Sequence, residues 1–217
     1  MNTSTLTSSP AAPPSAPRTV YVVDDDEAVR DSLQWLLEGN SYRVRSFASA
    51  EDFLSEFEPD GVGCLVLDVR MPGMSGLELQ SELATRNVGL PIVFVTGHGD
   101  VPMAVAAMKS GASDFIEKPF DQASLKSVVE RTLARAGDAA IEQDIRRQNV
   151  ARMARLTLRE RQVLERIVAG RLNKQIADDL GISIKTVEAH RANIMEKLNA
   201  NTVADLLKIA LGAQSKA

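Results

Sequence analysis

The chain has 217 residues, of which 44% are hydrophobic, and its formal net charge is −4 at pH 7. Typical domain sizes favour two domains for this length, and no segment approaches the roughly 20 apolar residues that a membrane span requires. The single cysteine, Cys64, excludes an internal disulfide and a Cys-based zinc site, which fits a protein of the reducing cytoplasm.

The first 17 residues are mainly Ser, Thr, Pro and Ala and carry no charged side chain. They lack both the basic start and the apolar run of a signal peptide, so we expect a disordered tail. The charge of the whole chain is divided unevenly. Residues 1–151 hold 13 Lys and Arg against 22 Asp and Glu, whereas residues 152–217 hold 12 against 7. The acidic part suits cations, and the basic part suits the phosphate backbone of a nucleic acid.

Between residues 19 and 133, short apolar runs alternate five times with amphipathic stretches. Runs as apolar as residues 20–23 and 92–95 are typical of strands that are covered on both faces. Alternating strands and helices imply a parallel sheet with right-handed crossovers. We therefore predict an α/β domain with a doubly wound sheet of five parallel strands.

The helical pattern continues past this domain, from Asp121 to about Arg155. Apolar residues are loosely spaced along it, and Gly137 is its weakest point as a helix. We interpret the segment as the last helix of the α/β domain followed by a helical linker at residues 135–151. From the residues alone, a partly helical or coiled linker and a solvated tether are equally good interpretations.

Residues 152–217 contain only helical patterns and predict an all-α domain of four helices. Thr157 and Glu160 form a capping box at the start of the first helix, and Gly170 is placed to end it. The second and third helices are separated by a tight turn at Gly181. A short helix, a turn and a longer helix form a helix-turn-helix, whose second helix lies in the DNA major groove.

The third helix of this domain has one apolar side and one polar side. We expect the apolar side to face the core, through Ile184, Val187, Ile194, Met195 and Leu198. Arg and Asn side chains suit guanine and adenine edges, Glu suits cytosine, and Lys and Thr at a helix start suit phosphates. A polar face can also be only solvated. The candidate DNA contacts are Lys185, Thr186, Glu188, His190, Arg191 and Asn193, with Lys174 at the head of the preceding helix.

Polar residues stand at the predicted strand ends of the α/β domain. Asp24 and Asp25 follow the first strand, Asp68 ends the third, Thr96 ends the fourth and Lys118 follows the fifth. Ligands of doubly wound sheets bind at this edge. Three aspartates there would repel each other without a divalent cation, and an oxygen-only site suits Mg²⁺. Thr96 and Lys118 can bind the oxygens of a phosphoryl group, which leaves Asp68 as its nucleophile.

These motifs resemble the receiver domain of two-component response regulators in order and spacing. The resemblance covers residues 18–134 and implies a flavodoxin-like α/β fold for them. The segments that carry the resemblance are Val22 to Asp26, Leu67 to Gly76, Thr96-Gly97 and Lys118-Pro119-Phe120. The resemblance implies that Asp68 is the phosphoacceptor and that Thr96 and Lys118 contact the phosphoryl group. It implies a metal site formed by Asp24, Asp25, Asp68 and the backbone carbonyl of Arg70.

The same resemblance implies two further features. The peptide bond between Lys118 and Pro119 is expected to be cis. Phe115 is expected to act with Thr96 as a switch residue, without the hydroxyl group that a Tyr would offer.

The helical domain resembles the LuxR-type DNA-binding domain, through residues 156–164, 173–177 and 185–193. Together the two domains resemble the FixJ family of response regulators, in which His190 would be partly structural. The resemblance implies a DNA-binding transcription regulator that is phosphorylated by a sensor histidine kinase. It favours an activator over a repressor. Expected partners are promoter DNA, RNA polymerase and a second copy, bound through the fourth helix, fifth strand and fifth helix of the receiver.

Two alternatives stay open at this point. A metal-dependent phosphohydrolase of related topology could use an aspartyl nucleophile, although such enzymes commonly place it on the first strand with a second Asp two residues later. A DNA-binding protein with a vestigial receiver domain would need no phosphorylation. Because the pocket residues are all present, we favour self-catalysed phosphorylation of a regulator over a true enzyme.

Overall fold

The computed structural model describes residues 18–39, 42–97 and 101–214. The tail predicted at residues 1–17 lies outside them. The chain divides into two compact units, Met1–Ala139 and Ala140–Ala217. Within the described ranges, no helix has both the length and the apolar character needed to cross a bilayer.

The first unit contains the predicted sheet of five parallel strands, in the spatial order β2-β1-β3-β4-β5. This confirms the flavodoxin-like α/β fold. The strands are β1 (Arg18–Val23), β2 (Arg43–Phe47), β3 (Val62–Asp68), β4 (Ile92–Thr96) and β5 (Asp114–Glu117). The intervening helices are α1 (Glu27–Glu38), α2 (Ala50–Glu56), α3 (Gly76–Thr85) and α4 (Val101–Lys109).

Both faces of the sheet are covered, which explains why its strands are apolar throughout. On β1, Val20 and Val22 join one buried cluster while Tyr21 and Val23 join the other. The register places Val23 beside Leu67 in β3. Strand ends therefore meet at one edge of the sheet, where the next residues of each strand are polar.

Helix α5 (Gln122–Ala154) begins after β5 and includes all of the predicted linker, residues 135–151. The second unit then contains α6 (Leu158–Val168), α7 (Asn173–Leu180), α8 (Ile184–Leu198) and α9 (Val203–Gln214). The predicted caps are present. Thr157 and Glu160 form the capping box of α6, and Gly170 and Gly181 adopt positive φ after α6 and α7. In addition, Ser183 caps α8.

The predicted core face of α8 is correct except at its first residue. Val187, Ile194 and Leu198 are fully buried, and Met195 packs against the same cluster. Ile184 was expected there as well, but 46% of its surface is exposed. It is the first residue of α8, so it lies at the end of the apolar stripe, where fewer neighbouring side chains can cover it.

Candidate functional site

Three predicted residues form one buried charged cluster at the carboxyl edge of the sheet. Lys118 Nζ donates to Oδ2 of Asp24 at 2.7 Å and to Oδ1 of Asp68 at 2.9 Å. Asp24 is 1% exposed and Asp68 is 8% exposed. A single ammonium group therefore bridges two carboxylates at the ends of neighbouring strands, and one negative charge of the cluster is left uncompensated.

Backbone groups fix each member of the cluster. The Arg70 N–H donates to Oδ2 of Asp68 at 2.9 Å, and the N–H of Asp26 donates to Oδ1 of Asp24 at 3.0 Å. The Lys118 N–H donates to the Thr96 carbonyl at 2.7 Å. The Lys118–Pro119 peptide is cis, as the resemblance implied. Hydrogen bonds of the backbone therefore fix the position of each of these side chains at the edge of the sheet.

The surroundings shift both members of the Asp68–Lys118 pair. Burial raises the pKa of the Asp68 carboxyl, and the hydrogen bond from Lys118 opposes that shift without cancelling it. For Lys118, burial lowers the pKa, but the hydrogen bonds to Asp24 and Asp68 raise it by more, so the net shift is upward. Lys118 is therefore held in its charged form. The Asp68 carboxylate is less stable than a solvated one and gains more from a positive partner.

The other predicted residues of this edge, Thr96, Asp25 and Phe115, differ in exposure. Thr96 is 3% exposed at the end of β4. Asp25 is exposed on the first residues after β1. Phe115 pairs with Phe94 across the edge of the sheet, and 43% of its surface is exposed. The structure therefore brings Asp24, Asp68 and Lys118 into contact. Phe115, the predicted switch residue, is partly exposed to solvent.

The donor set fits a magnesium ion. Among the described residues, no three Asp, Glu, His or Cys side chains are grouped closely enough to hold a metal ion by themselves. Mg²⁺ keeps several water ligands, however, and proteins usually offer it only one or two carboxylates. Asp24 and Asp68 reach the same nitrogen atom, so their oxygens converge on one point. The Arg70 carbonyl, two residues after Asp68, is the additional oxygen that the resemblance implied.

Two residues that support the cluster were not predicted. Arg30, on α1, donates from Nη1 to the carbonyls of Asp24 at 2.8 Å and Asp25 at 3.0 Å, which fixes the turn after β1. Gly76 begins α3, and a Cβ atom there would lie only 2.2 Å from the Asp68 carbonyl oxygen. Any side chain at residue 76 would displace the backbone of Asp68. A capping box of Ser75 and Glu78 marks the start of this helix, but the close approach of residue 76 to Asp68 has no local signal in the sequence.

The second candidate site is the exposed face of α8 in the other unit. Lys185, Glu188 and Asn193 are exposed, together with Lys174 on α7. His190 and Arg191 are half-buried, because they flank the core face of the helix. Thr186 is half-buried beside the cap, with its hydroxyl 2.8 Å from Ser183 Oγ. The exposed surface also includes two alanines that were not predicted, Ala189 and Ala192.

A buried ion pair ties α8 to α6. Lys197 Nζ donates to both carboxylate oxygens of Glu160, at 2.8 and 2.7 Å, and Glu160 is 3% exposed. The same carboxylate accepts the Thr157 N–H at 2.8 Å. Glu160 was predicted as a capping residue, but its partner in α8 is 37 residues away and was missed. The pair fixes the helix that carries the candidate DNA contacts.

Comparisons with known protein families match each unit separately. Residues 20–130 match the family described as the response regulator receiver domain. Residues 154–210 match the family described as bacterial regulatory proteins of the luxR family. The charged cluster lies in the first range and the exposed face of α8 in the second.

Several relatives are similar to this chain over nearly its whole length. The chain is 50% identical to the transcriptional regulatory protein FixJ of Azorhizobium caulinodans over 192 residues, which cover 88% of this chain and 91% of the relative. It is 49% identical to FixJ of Rhizobium meliloti, over 89% of this chain and 95% of that protein. Among solved structures, the response regulator StyR has a TM-score of 0.82 at 45% identity, covering 90% of this chain and 99% of its own. Full-length FixJ from B. japonicum has a TM-score of 0.57 at 44% identity, covering 90% and 96%.

Proposed function

The chain belongs to the two-component response regulators that join a receiver domain to a LuxR-family DNA-binding domain, and we propose that phosphorylation of Asp68 controls its binding to DNA. We assign the receiver to residues 18–134, the helical linker to residues 135–151 and the DNA-binding domain to residues 152–217. The helical structure of α5 supports the linker assignment. The two family matches lie inside the outer ranges.

In the proposed reaction, a carboxylate oxygen of Asp68 attacks the phosphorus atom of a phosphohistidine on the sensor histidine kinase. An O–P bond forms as the P–N bond breaks, and the electron pair of the broken bond leaves with the imidazole. Lys118 then binds a phosphoryl oxygen, and the hydroxyl group of Thr96 donates to another. The contact between Lys118 Nζ and Asp68 is the observation that carries this proposal, because it places a cation where the new negative charge develops.

Magnesium is the cofactor that we propose for this site. Asp24, Asp25, Asp68 and the Arg70 carbonyl would hold it, and when bound it neutralises charge on the transferred group. The raised pKa of Asp68 supports this proposal, because a destabilised carboxylate benefits from a cation.

We propose that the receiver catalyses its own phosphorylation and later hydrolysis, and that the chain is not an enzyme with multiple turnover. Both matched families describe regulators rather than a catalytic family, which argues against the phosphohydrolase alternative. The intact charged cluster argues against a vestigial receiver.

We propose that phosphorylation changes the face formed by α4, β5 and α5 and thereby promotes dimerisation. Three large apolar side chains on α4 and β5 are exposed, namely Val105 at 48%, Met108 at 40% and Phe115 at 43%. If Thr96 is drawn toward the phosphoryl group, space opens for Phe115 to turn inward. A surface that pairs only in this state would bring two DNA-binding domains onto adjacent half-sites.

In the DNA-binding domain, Lys174, Lys185 and Thr186 are proposed to contact phosphates, while Glu188, Arg191 and Asn193 contact base edges. His190 is proposed to make a less important contact with DNA, because its side chain is half-buried. The relatives named as transcriptional regulatory proteins support a role in transcription. We propose that this role is activation of promoters together with RNA polymerase. That task places the protein in the cytoplasm.

Incubation with labelled acetyl phosphate and Mg²⁺, followed by mapping of the label, tests the proposal. We expect one labelled residue, Asp68, and no label without the metal. Multiple turnover on a small phosphoester would instead favour a phosphohydrolase.

A further inference from the structure

We propose that Glu51 is a positioning residue for phosphoryl transfer, because its carboxylate holds the loop that follows Asp68. This loop comprises residues 69–75, between β3 and α3. The inference rests on the proposed function, since its consequence is measured at Asp68. It concerns a residue of α2 that lies outside the charged cluster and that no sequence motif marked.

The central contact links two distant parts of the receiver. Glu51 Oε1 accepts the backbone N–H of Met74 at 3.0 Å, across 23 residues of sequence. Glu51 lies in the first turn of α2, which Ser49 caps by accepting the N–H of Asp52 at 3.0 Å. Met74 packs against the buried cluster below the loop. The carboxylate therefore comes from a fixed helix start and binds a loop residue that is itself anchored.

Gly73 shows how closely the carboxylate approaches the loop. Its φ is +74°, a conformation that side chains other than Gly rarely adopt. A Cβ atom at this position would lie 2.8 Å from Oε1 of Glu51. The backbone conformation favours glycine here, and a side chain at residue 73 would displace the Glu51 carboxylate, so the turn at residues 73–74 lies directly against that carboxylate.

Both ends of the loop lie close to Asp68 and are held by hydrogen bonds. At the first end, the Arg70 N–H donates to Oδ2 of Asp68 at 2.9 Å. At the other end, Gly76 donates its N–H to the Val69 carbonyl at 3.0 Å and packs against the Asp68 carbonyl. Glu51 holds the part between these ends. Movement of the loop would therefore shift the amide that binds the Asp68 carboxylate.

The same loop carries the Arg70 carbonyl, the backbone oxygen proposed for Mg²⁺. Loss of the Glu51 contact is expected to weaken metal binding and to slow phosphorylation at limiting Mg²⁺, while the rate at saturating Mg²⁺ changes less. If Glu51 only stabilised the fold, its loss would not affect phosphorylation at limiting Mg²⁺ differently from phosphorylation at saturating Mg²⁺. If Glu51 acted only through its negative charge, metal binding would weaken in every variant that removes that charge.

Two substitutions of Glu51 separate hydrogen bonding from charge. Glu51→Ala removes both, whereas Glu51→Gln keeps an oxygen acceptor and removes the charge. Asp52→Ala is the matched control, because it removes an exposed carboxylate from the same helical turn. Gly73→Ala attacks the contact from the loop side and gives a second variant should Glu51→Ala fold poorly.

The first readout is amide exchange at Met74 in Mg²⁺-free protein, which is independent of activity. We expect Glu51→Ala to accelerate it about tenfold, the size expected for loss of a hydrogen bond to a charged acceptor. The second readout is the Mg²⁺ concentration that gives half the maximal rate of Asp68 labelling by acetyl phosphate. It should rise several-fold in Glu51→Ala and Gly73→Ala and stay near the wild-type value in Glu51→Gln and Asp52→Ala.

Equal behaviour of Glu51→Ala and Asp52→Ala in both readouts would overturn the positioning role. If Glu51→Gln behaves like Glu51→Ala, charge rather than the hydrogen bond is responsible, which also overturns it. Failure of the wild-type protein to take label at Asp68 would instead contradict the proposed function itself.

Discussion

Lys118 Nζ and Asp24 Oδ2 lie 2.7 Å apart although 94 residues separate them in the sequence. The same ammonium group contacts Asp68, so one lysine holds together two buried carboxylates at the proposed site of phosphorylation. Without a positive partner, these carboxylates would repel each other in a poorly solvated place. Lys118 and a bound metal ion are therefore expected to substitute for each other in stabilising the receiver.

Replacing Lys118 tests this relationship. We expect Lys118→Met to destabilise the receiver by about 3 kcal/mol without Mg²⁺, at the low end for breaking a buried pair. The Lys118 side chain is 27% exposed, which moderates the loss. Added Mg²⁺ should raise the unfolding midpoint more in the variant than in the wild type, because binding to the folded state stabilises it. Urea unfolding followed by Trp35 fluorescence measures both effects, and an equal response to Mg²⁺ would contradict the prediction.

The Glu160–Lys197 pair predicts a pH dependence of the DNA-binding domain. Burial raises the pKa of Glu160, but hydrogen bonds from Lys197 and Thr157 lower it by more, so the folded-state pKa lies below the unfolded one. Its stabilisation is therefore present at neutral pH and is lost as the pH falls through the folded pKa. Glu160→Gln should be less stable than the wild type at pH 7, and the difference should shrink on acidification.

The measurement for Glu160→Gln uses two signals. The chain has a single tryptophan, Trp35, and it lies on α1, so its fluorescence follows only the receiver. Circular dichroism follows the helices of both domains. The pH-dependent loss of stability should appear in the unfolding transition followed by circular dichroism and leave the transition followed by fluorescence unchanged. If the difference in stability between the wild type and Glu160→Gln persists or grows at low pH, the ion pair is not its source.

The exposed apolar face of α4 and β5 predicts dimerisation on phosphorylation. Met108→Glu places a charge on a side chain that is 40% exposed, so the isolated fold should tolerate it. We expect the variant to bind beryllofluoride, a mimic of the phosphoryl group, yet to remain monomeric in sedimentation velocity. Trp35→Glu, at a position that is 73% exposed on α1, is the matched control and should still dimerise. Dimerisation of Met108→Glu like that of the control would exclude this face.

Lys185 and Arg191 predict two kinds of loss in DNA binding. Lys185→Ala should weaken binding to all sequences and lower the slope of log affinity against log salt by about 1, since a phosphate contact carries no sequence information. Arg191→Ala should instead cost about 1–3 kcal/mol on the preferred site and relax the preference at one base position. Titrations on specific and random DNA at several salt concentrations distinguish them. Equal losses on both DNAs for Arg191→Ala would remove its base-reading role.

The sheet and the charged cluster were predictable because their signals are local. Strands that are covered on both faces are apolar throughout, and the residue after each strand end must lie at the edge where Asp24, Asp68 and Lys118 meet. The contacts of Glu51 with Met74 and of Glu160 with Lys197 depend on how far side chains reach between separate elements. No local pattern encodes that reach. Ile184 was misplaced because helical periodicity describes the direction of a side chain but not whether neighbours cover the helix end.

The central claim is that phosphorylation of Asp68 controls DNA binding. The most direct test is the affinity of the full chain for a specific site, measured with and without acetyl phosphate and Mg²⁺, for the wild type and for Asp68→Asn. The amide keeps the shape of the side chain but is not a nucleophile. We expect phosphodonor to raise the affinity of the wild type at least about tenfold, which corresponds to a coupling of about 1.4 kcal/mol, and to leave Asp68→Asn unchanged. An equal increase in both proteins, or none in a wild type whose Asp68 is fully phosphorylated, would contradict the account.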